Sequence, residues 1–180
     1  SRSTGINAIT LREDDELISV KLTRGTTELI AVTKKGLAIR FDEKDVRDMG
    51  RNAMGVKGIT LNHGDSVIAL DIVEEDAHLL VITEKGFGKR TPLEEYRTQN
   101  RGGKGVKTVH LTKKIGPLVG AKVVKDNCEV MLISSEGIII RMDINGISIM
   151  GRSTQGVTLM KLDKNDSVVA LAKIISEEEC

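Results

Sequence analysis

The stretch QNRGGKG, Gln99–Gly105, places two cations among three glycines and contains no acidic residue. Lysine and arginine donate to phosphate oxygens, and glycine lets a backbone come close to them. Three interpretations are open: a phosphate loop of a nucleotide enzyme, a contact with a nucleic-acid backbone, or a turn. The first lacks support because the sequence contains no G-x-x-x-x-G-K-[ST] pattern, nucleophile elbow or triad pattern.

Other residues that could do chemistry are few. The sequence has three histidines, and none lies at metal-ligand spacing from a cysteine or another histidine: His63, His78 and His110. Cys128 and Cys180 are too far apart in sequence for a zinc site or a disulfide framework, and we expect reduced thiols. Tyr96 could act as a nucleophile, but it has no counterpart elsewhere in the chain, and we expect a packing role.

The glycine-rich loop recurs in a repeat. Three series keep one phase at spacings of 50 or 51 residues: Gly5, Gly55, Gly105 and Gly156; Gly36, Gly86 and Gly137; Arg40, Arg90 and Arg141. We therefore predict one folded unit over 1–180, built from repeats 1–49, 50–100 and 101–150 and a half repeat, 151–180. The half repeat and the abrupt start suggest a piece of a longer ring.

Each repeat has the pattern of β-structure. Short runs rich in Val and Ile, such as DSVIALDIV and HLLVITEKG, predict strands, and TKKGLAIR, TEKGFGKR and SSEGIIIR predict hairpins with glycine at the turn. Helical periodicity is weak apart from short turns at DEKDVRDM and PLEEYRT. About four strands per ~50-residue unit is typical of propeller-like blades. The fold class is therefore all-β, with about three and a half stacked repeats.

Cations concentrate at two phases of the repeat, and we predict that these residues bind DNA. The hairpin phase contains Lys34, Lys35, Arg40, Lys85, Lys89, Arg90 and Arg141. The connector into the next unit contains Arg47, Arg51, Lys57, Arg97, Arg101, Lys104, Lys107 and Arg152. Acidic residues fall at other phases, in REDDE, VEED, PLEE and the terminal SEEE. A chain of net charge +1 can thus have one basic edge.

Composition excludes several classes of protein. A content of 39% hydrophobic and 29% charged residues indicates a soluble globular protein, without an apolar run long enough for a membrane span or the layout of a signal peptide. Aromatic residues are nearly absent, with no Trp, one Tyr and two Phe. A platform that stacks single-stranded bases is therefore not expected.

Three long motifs carry a family likeness: VRDMGRNAMGVKGITLNHGDSVIALDI, GFGKRTPLEEYRTQNRGGKGVKTV and ISIMGRSTQGVTLMKLDKNDSVVALAKI. They resemble the C-terminal domain of the bacterial DNA gyrase A protein, over essentially the whole chain. The related domain of topoisomerase IV is similar, with more degenerate repeats. The resemblance implies a β-pinwheel, a propeller-like ring that exchanges strands between blades. It also implies that the chain corresponds to the last blades.

The family likeness further implies a basic rim that binds and wraps duplex DNA for ATP-dependent negative supercoiling. The implied assembly is an A2B2 holoenzyme of the gyrase A and gyrase B proteins in the bacterial cytoplasm, near the nucleoid. ATP, magnesium and the cleaving tyrosine belong to other domains, so the chain itself is expected to be non-catalytic and without a cofactor. QNRGGKG matches the family's box motif Gln-Arg-Arg-Gly-Gly-Lys-Gly except at Asn100, but its place in the chain indicates a box-like connector of a later blade.

Two other functions remain open. A propeller-like scaffold for protein partners would show scattered cations and an exposed apolar patch. An enzyme domain with a site in the central channel would need titratable groups there, and the repeat offers Asp15, Asp65 and Asp166. These aspartates are explained more simply as turn residues.

Overall fold

The computed structural model of the protein describes residues 5–174, and these residues form an almost purely β structure. The eleven strands of the described chain, β1 to β11, are Glu28–Thr33, Leu37–Asp42, Val67–Ile72, His78–Thr83, Phe87–Pro92, Val106–Lys107, Leu118–Val124, Glu129–Ser134, Ile139–Asp143, Val157–Thr158 and Val168–Ile174. Short 3-10 turns lie at Glu43–Asp45, Leu93–Glu95 and Ile144–Gly146. The all-β prediction is confirmed. Cys180 and the terminal SEEE lie outside the described residues.

Three antiparallel hairpins, β1–β2, β4–β5 and β8–β9, each belong to one sheet, and the first two lie in the middle of their sheets. Their turns contain Gly36, Gly86 and Gly137 with φ of 82°, 78° and 83°, a left-handed conformation that favours glycine. These are the hairpins that the three glycine-centred motifs predict. Valine, isoleucine and leucine fill the paired strands, which places side chains on both faces of each sheet against neighbours.

Later repeats complete each hairpin with further strands. The strand orders are β3-β1-β2-β6, β10-β5-β4-β7 and β11-β8-β9. The long strand beside each hairpin comes from the next repeat, and the two-residue strand comes from the repeat after that. The first two sheets thus each combine three consecutive repeats, which is the strand exchange that the resemblance implies. The repeat boundaries themselves stay a prediction.

The long added strands define the centre of the molecule. Residues of β3, β7 and β11 meet around a hollow of about 230 Å³, lined by small and aliphatic side chains such as Ala69, Ala121 and Leu171. A Cβ added at Gly120 would lie only 2.9 Å from the Cβ of Leu171, so this glycine permits the close approach of β7 and β11. Since β3, β7 and β11 form the inner edges of their sheets, β6 and β10 form outer edges.

The hydrophobic core lies between successive sheets. Buried Ile30, Leu79 and Leu118 join the first sheet to the second, and buried Leu80 and Val130 join the second to the third. Removing this apolar surface from water is the main favourable contribution to stacking. Tyr96 belongs to this core: it is 1% exposed and its hydroxyl hydrogen-bonds that of Thr108. The predicted packing role of Tyr96 is therefore confirmed.

The segment 17–22 lies at the same repeat phase as β3, β7 and β11, but it pairs with no strand within residues 5–174. Leu17, Val20 and Leu22 are 58%, 78% and 93% exposed. Lys21 Nζ lies 2.6 Å from an Asp71 carboxylate oxygen, which holds the segment beside β3. The described chain therefore exposes an apolar face at its first repeat.

Gly86 and Gly137 provide a matched test of how tightly the outer strand packs. An alanine Cβ at Gly86 would collide with the carbonyl of Met160, whereas at Gly137 it would meet nothing within 4 Å. The positive φ costs either variant about 1–2 kcal/mol. We expect Gly86→Ala to lower the free energy of unfolding by at least about 1 kcal/mol more than Gly137→Ala does, since the collision adds to that cost. Urea unfolding of both variants measures the difference, and equal losses would contradict the packing.

Candidate nucleic-acid interface

The connectors between repeats lie on the outer side of the sheets. The connector 97–107 contains QNRGGKG and ends in β6, the outermost strand of the first sheet. Gly105 has φ of 73°, and a Cβ there would lie 2.5 Å from the carbonyl oxygen of Ala38 in β2. Gly156 repeats this geometry against Gly88 in the second sheet. These glycines therefore let the connector pack directly on a neighbouring strand.

Backbone hydrogen bonds link each connector to the preceding segment of chain. Thr60 N donates to Gly103 O at 2.8 Å, and the equivalent bonds run from Thr10 N to Ala53 O and from His110 N to Thr154 O. The three connectors that we number first (46–57), second (97–107) and third (148–158) are thus attached in the same way. We refer to the outer side of the sheets on which these three connectors lie as the rim.

Arg101 ties the second connector to the first. Its Nε donates to Asp45 O at 3.0 Å, and its Nη1 donates to Lys57 O. Gly102 N donates to Gly58 O at 2.7 Å in the same place. Arg101 is half-buried, so its guanidinium serves mainly to hold the rim together. Lys104, in the same loop, is exposed.

The predicted DNA-binding residues differ in how accessible they are. Ten of the fifteen are exposed: Lys34, Lys35, Arg47, Arg51, Lys57, Lys85, Arg97, Lys104, Lys107 and Arg141. Three are half-buried: Arg40, Arg101 and Arg152. Two are buried: Lys89 and Arg90. The structure thus brings exposed cations of the first and second connectors onto one rim, and phosphate binding by them stays a prediction.

Lys89 and Arg90 correct the sequence-based expectation of surface contacts. Lys89 is 0% exposed and Arg90 is 6% exposed. Arg90 Nε donates to Ile147 O at 2.8 Å, and its Nη1 pairs with Asp126. Neither side chain presents a free charge to a phosphate. The contacts of Arg90 give it a structural role, which explains why an arginine recurs at this phase of the repeat.

The repeated arginine position is a structural clamp in the first two sheets. Arg40 pairs with Glu28 across its hairpin and donates from Nη1 to Leu93 O at 3.0 Å, which fixes the 3-10 turn of the next unit. Arg90 makes the equivalent bond to the turn at Ile147. The hydrogen bond from Arg40 holds the pKa of Glu28 below its ordinary value. Arg141 pairs with Glu129 and is exposed.

The buried side chain of Lys89 holds the third connector through hydrogen bonds. Its Nζ donates to Gly151 O at 2.5 Å, to Arg152 O at 2.8 Å and to Thr154 Oγ1 at 3.0 Å. Burial lowers the pKa of Lys89 to about 8, because a charged amine is poorly solvated there. The three acceptors compensate part of that cost.

Four exposed lysines are not among the residues predicted from the sequence to bind DNA: Lys113, Lys114, Lys161 and Lys164. They lie in or next to the turns that follow Leu111 and Leu162. Lys113 and Lys164 share a phase in the last two units only, and Lys114 and Lys161 have no cationic counterpart. Lys114 lies 5.6 Å from the ring centre of Phe87. A search for exposed lysines near the hairpin glycines, without a demand for recurrence, could have found them.

The central channel offers no catalytic site among the described residues. Asp65 Oδ1 accepts from Lys35 N and Ser66 N, both at 2.9 Å, and Asp166 Oδ1 accepts from Ser167 N at 2.8 Å. Asp15 is exposed and closes a turn on Arg12. These aspartates stabilise turns and do not line the central hollow. In the same part of the chain, no group of three or more His, Cys, Asp and Glu side chains could hold a metal ion.

No helix in the chain from 5 to 174 has the length and apolar character needed to cross a membrane.

The chain matches a family model described as DNA gyrase C-terminal domain, beta-propeller, over residues 1–24, 27–74, 77–125 and 129–174. The DNA gyrase A protein of Halalkalibacterium halodurans is 60% identical over 178 residues, or 99% of this chain and 21% of that protein. The chain spans about a fifth of the length of the curated relatives that it matches.

Two solved structures are similar over nearly the whole chain. A DNA gyrase A C-terminal domain gives a TM-score of 0.89 at 31% identity, covering 96% of this chain and 59% of that one. The C-terminal domain of a DNA topoisomerase IV gives 0.88 at 29% identity, covering 93% and 52%.

The burial of Lys89 predicts a pH-dependent stability. Below about pH 8 the folded and unfolded states both hold the proton, and the contribution of Lys89 is constant. From about pH 8 towards the ordinary value of 10.5, the unfolded state holds more protons, so the free energy of unfolding rises with pH. Urea unfolding between about pH 7.5 and 9.5 should show this rise in the wild type but not in Lys89→Met.

Measurements stay below about pH 10 because Tyr96, whose pKa is raised by burial, titrates in the unfolded state above that point. Lys85→Met removes an exposed lysine and serves as the control, which should keep the pH dependence. Identical pH profiles for wild type and Lys89→Met would contradict a buried charge at this position.

Proposed function

The chain belongs to the DNA gyrase C-terminal domain family, and from this premise we propose that it binds duplex DNA along its outer rim and bends it. The observation that carries the proposal is the exposure of Lys57, Lys104 and Lys107 on two adjacent, hydrogen-bonded connectors. Positive side chains on a convex edge follow a curved phosphate backbone. Bending stiff duplex costs on the order of 1–6 kcal/mol per 20–30 base pairs, which many weak ionic contacts offset.

Binding is expected to tolerate any base sequence. Phe41 and Tyr96 are buried, and Phe87 is half-buried beneath Lys114, so none of the three aromatic side chains offers an open face to a base. Lysines on the rim contact phosphates, which carry no sequence information. The chain therefore positions DNA and leaves its sequence unread.

In the whole enzyme, we assign this chain the part of a wrapping module for ATP-dependent negative supercoiling. It would act within an A2B2 assembly of the gyrase A and gyrase B proteins in the bacterial cytoplasm. ATP hydrolysis, magnesium and DNA cleavage belong to other parts of that enzyme. The buried, hydrogen-bonded hydroxyl of Tyr96 supports a non-catalytic role for this chain.

A second candidate, a protein-contact surface, is favoured by the apolar face at the first repeat. Beside Leu17, Val20 and Leu22, a hollow of about 480 Å³ is lined mainly by apolar side chains that include Phe41 and Met49. Exposed apolar surface of this kind marks contact sites. Its lining includes Lys57 and Arg101 of the first and second connectors, so a protein bound there would compete with DNA at these connectors.

A salt series on duplex DNA tests the rim directly. Replacing Lys104 and Lys107 by Gln removes two phosphate contacts, so the slope of log affinity against log salt should become less steep by about 1.8. Affinity for all duplex sequences should fall alike. Fluorescence anisotropy with two unrelated labelled duplexes measures both quantities.

The matched control replaces Lys122 and Lys125 by Gln, two lysines in or next to the inner strand β7 and away from the outer connectors, and removes the same total charge. This control should bind nearly as the wild type does. Wild-type binding that did not depend on salt, or equal effects of the two double variants, would refute phosphate contacts at the rim.

A further inference from the structure

The tip of the second hairpin carries a basic hollow that adjoins the end of the third connector. Its volume is about 570 Å³, and its lining includes Lys85, Lys114, Lys161 and Lys164. All four lysines are exposed. Phe87 and Thr158, which are paired across β5 and β10, also line it. The hollow therefore begins where the third connector ends.

The four lysines outnumber the acids around them. Asp163 and Asp166 complete the lining, but Asp166 Oδ1 already accepts from Ser135 Oγ at 2.9 Å and Glu136 N at 3.1 Å. Desolvation acts to raise the pKa of Asp166, but the hydrogen bonds together outweigh it and hold the pKa below its ordinary value, so the charge of Asp166 interacts with the turn. Lys85 Nζ donates to Lys113 O at 2.7 Å, which joins the hairpin tip to the turn at Lys113 and Lys114.

The third connector, which ends beside the hollow, has fewer cations than the second connector. Arg97, Lys104 and Lys107 of the second connector are replaced in the third by uncharged residues at the same repeat phase, Ser148, Gln155 and Thr158. The third connector retains Arg152, whose guanidinium lies 3.8 Å from a Glu95 carboxylate oxygen and is half-buried.

At the hairpin tips the trend is opposite. Lys114 and Lys161 occupy the repeat phases at which the preceding unit has Gly64 and His110. Lys34 of the first hairpin tip corresponds to Glu84, whereas Lys35 and Lys113 correspond to Lys85 and Lys164. The second hairpin tip thus gains Lys114 and Lys161 beside a third connector that has lost its exposed lysines.

We propose that duplex DNA leaves the outer rim at the third connector and crosses the hairpin-tip hollow, where Lys85, Lys114, Lys161 and Lys164 contact its phosphates. This inference rests on the proposed DNA-binding function. The duplex takes this course because its phosphate backbone follows the nearest continuous positive charge. DNA that passes from the rim to the hairpin tips does not stay in one plane. The bound duplex would therefore follow a path with a helical pitch.

The test uses three double variants of the 180-residue chain and a labelled duplex in a salt series. Lys161→Gln/Lys164→Gln removes tip charge without disturbing Lys85 or the Lys114–Phe87 contact. We expect affinity to fall about tenfold at low salt, and the salt slope to become less steep by about 1.8. Lys161→Arg/Lys164→Arg keeps the charge and should restore both values. Lys104→Gln/Lys107→Gln reports on the rim in parallel.

The outcomes separate the two proposals. If the rim variant weakens binding but Lys161→Gln/Lys164→Gln binds as the wild type does, the tip path is wrong and the rim function stands. If the wild type does not bind duplex DNA at low salt, the proposed function itself fails. If both Gln variants weaken binding and the Arg variant restores it, phosphates reach both surfaces.

A second readout is the linking number of a nicked plasmid religated with saturating protein. Loss of the tip contacts should reduce the shift in linking number at equal occupancy, since it removes the pitch. An unchanged shift at equal occupancy would overturn the proposed path.

Discussion

The fold depends on the unpaired edges of its hairpins. A two-stranded hairpin leaves hydrogen-bonding groups open on both sides and buries little apolar surface by itself. Here the inner edge is covered by a strand from the next repeat, and the outer edge of the first two hairpins by a two-residue strand from the repeat after that. The chain must therefore run from each hairpin to the outer edge of the preceding sheet, and then back to the inner edge of the hairpin's own sheet. That route creates the connectors, and it places them on the outside of the molecule.

The exposed position of the connector lysines follows from this route. Because each connector must pack against a strand already in place, it needs glycine at the closest approach, as at Gly105 and Gly156. The residues between these contacts are free to face outward, which is where Lys104 and Lys107 lie. Arg40 and Arg90 recur for a different reason, since their guanidinium groups bind the carbonyl groups of the following turn. One repeat thus has two sets of cations: exposed lysines on the connector, and an arginine that binds carbonyl groups of the following turn.

Sequence alone predicted the strands and hairpins well because glycine at a left-handed turn and runs of Val and Ile are local signals. It also located QNRGGKG in a connector. It did not distinguish Arg90 from surface cations, because recurrence of a charge marks a constraint without naming it. Lys89 does not recur, since the same repeat phase holds Ile39 and Ile140, and only the packed structure shows that an amine there has three acceptors. Lys114 and Lys161 were missed because they do not recur.

Because of strand exchange, one sequence repeat does not correspond to one sheet. Since each sheet combines strands from successive repeats, a gene segment coding for one period of about 50 residues, started at any phase, contains every strand type once. Duplication of such a segment would add a whole sheet and reproduce the existing junctions on both sides. Domains of this type can thus lengthen by one blade in a single genetic event, without first evolving a new interface.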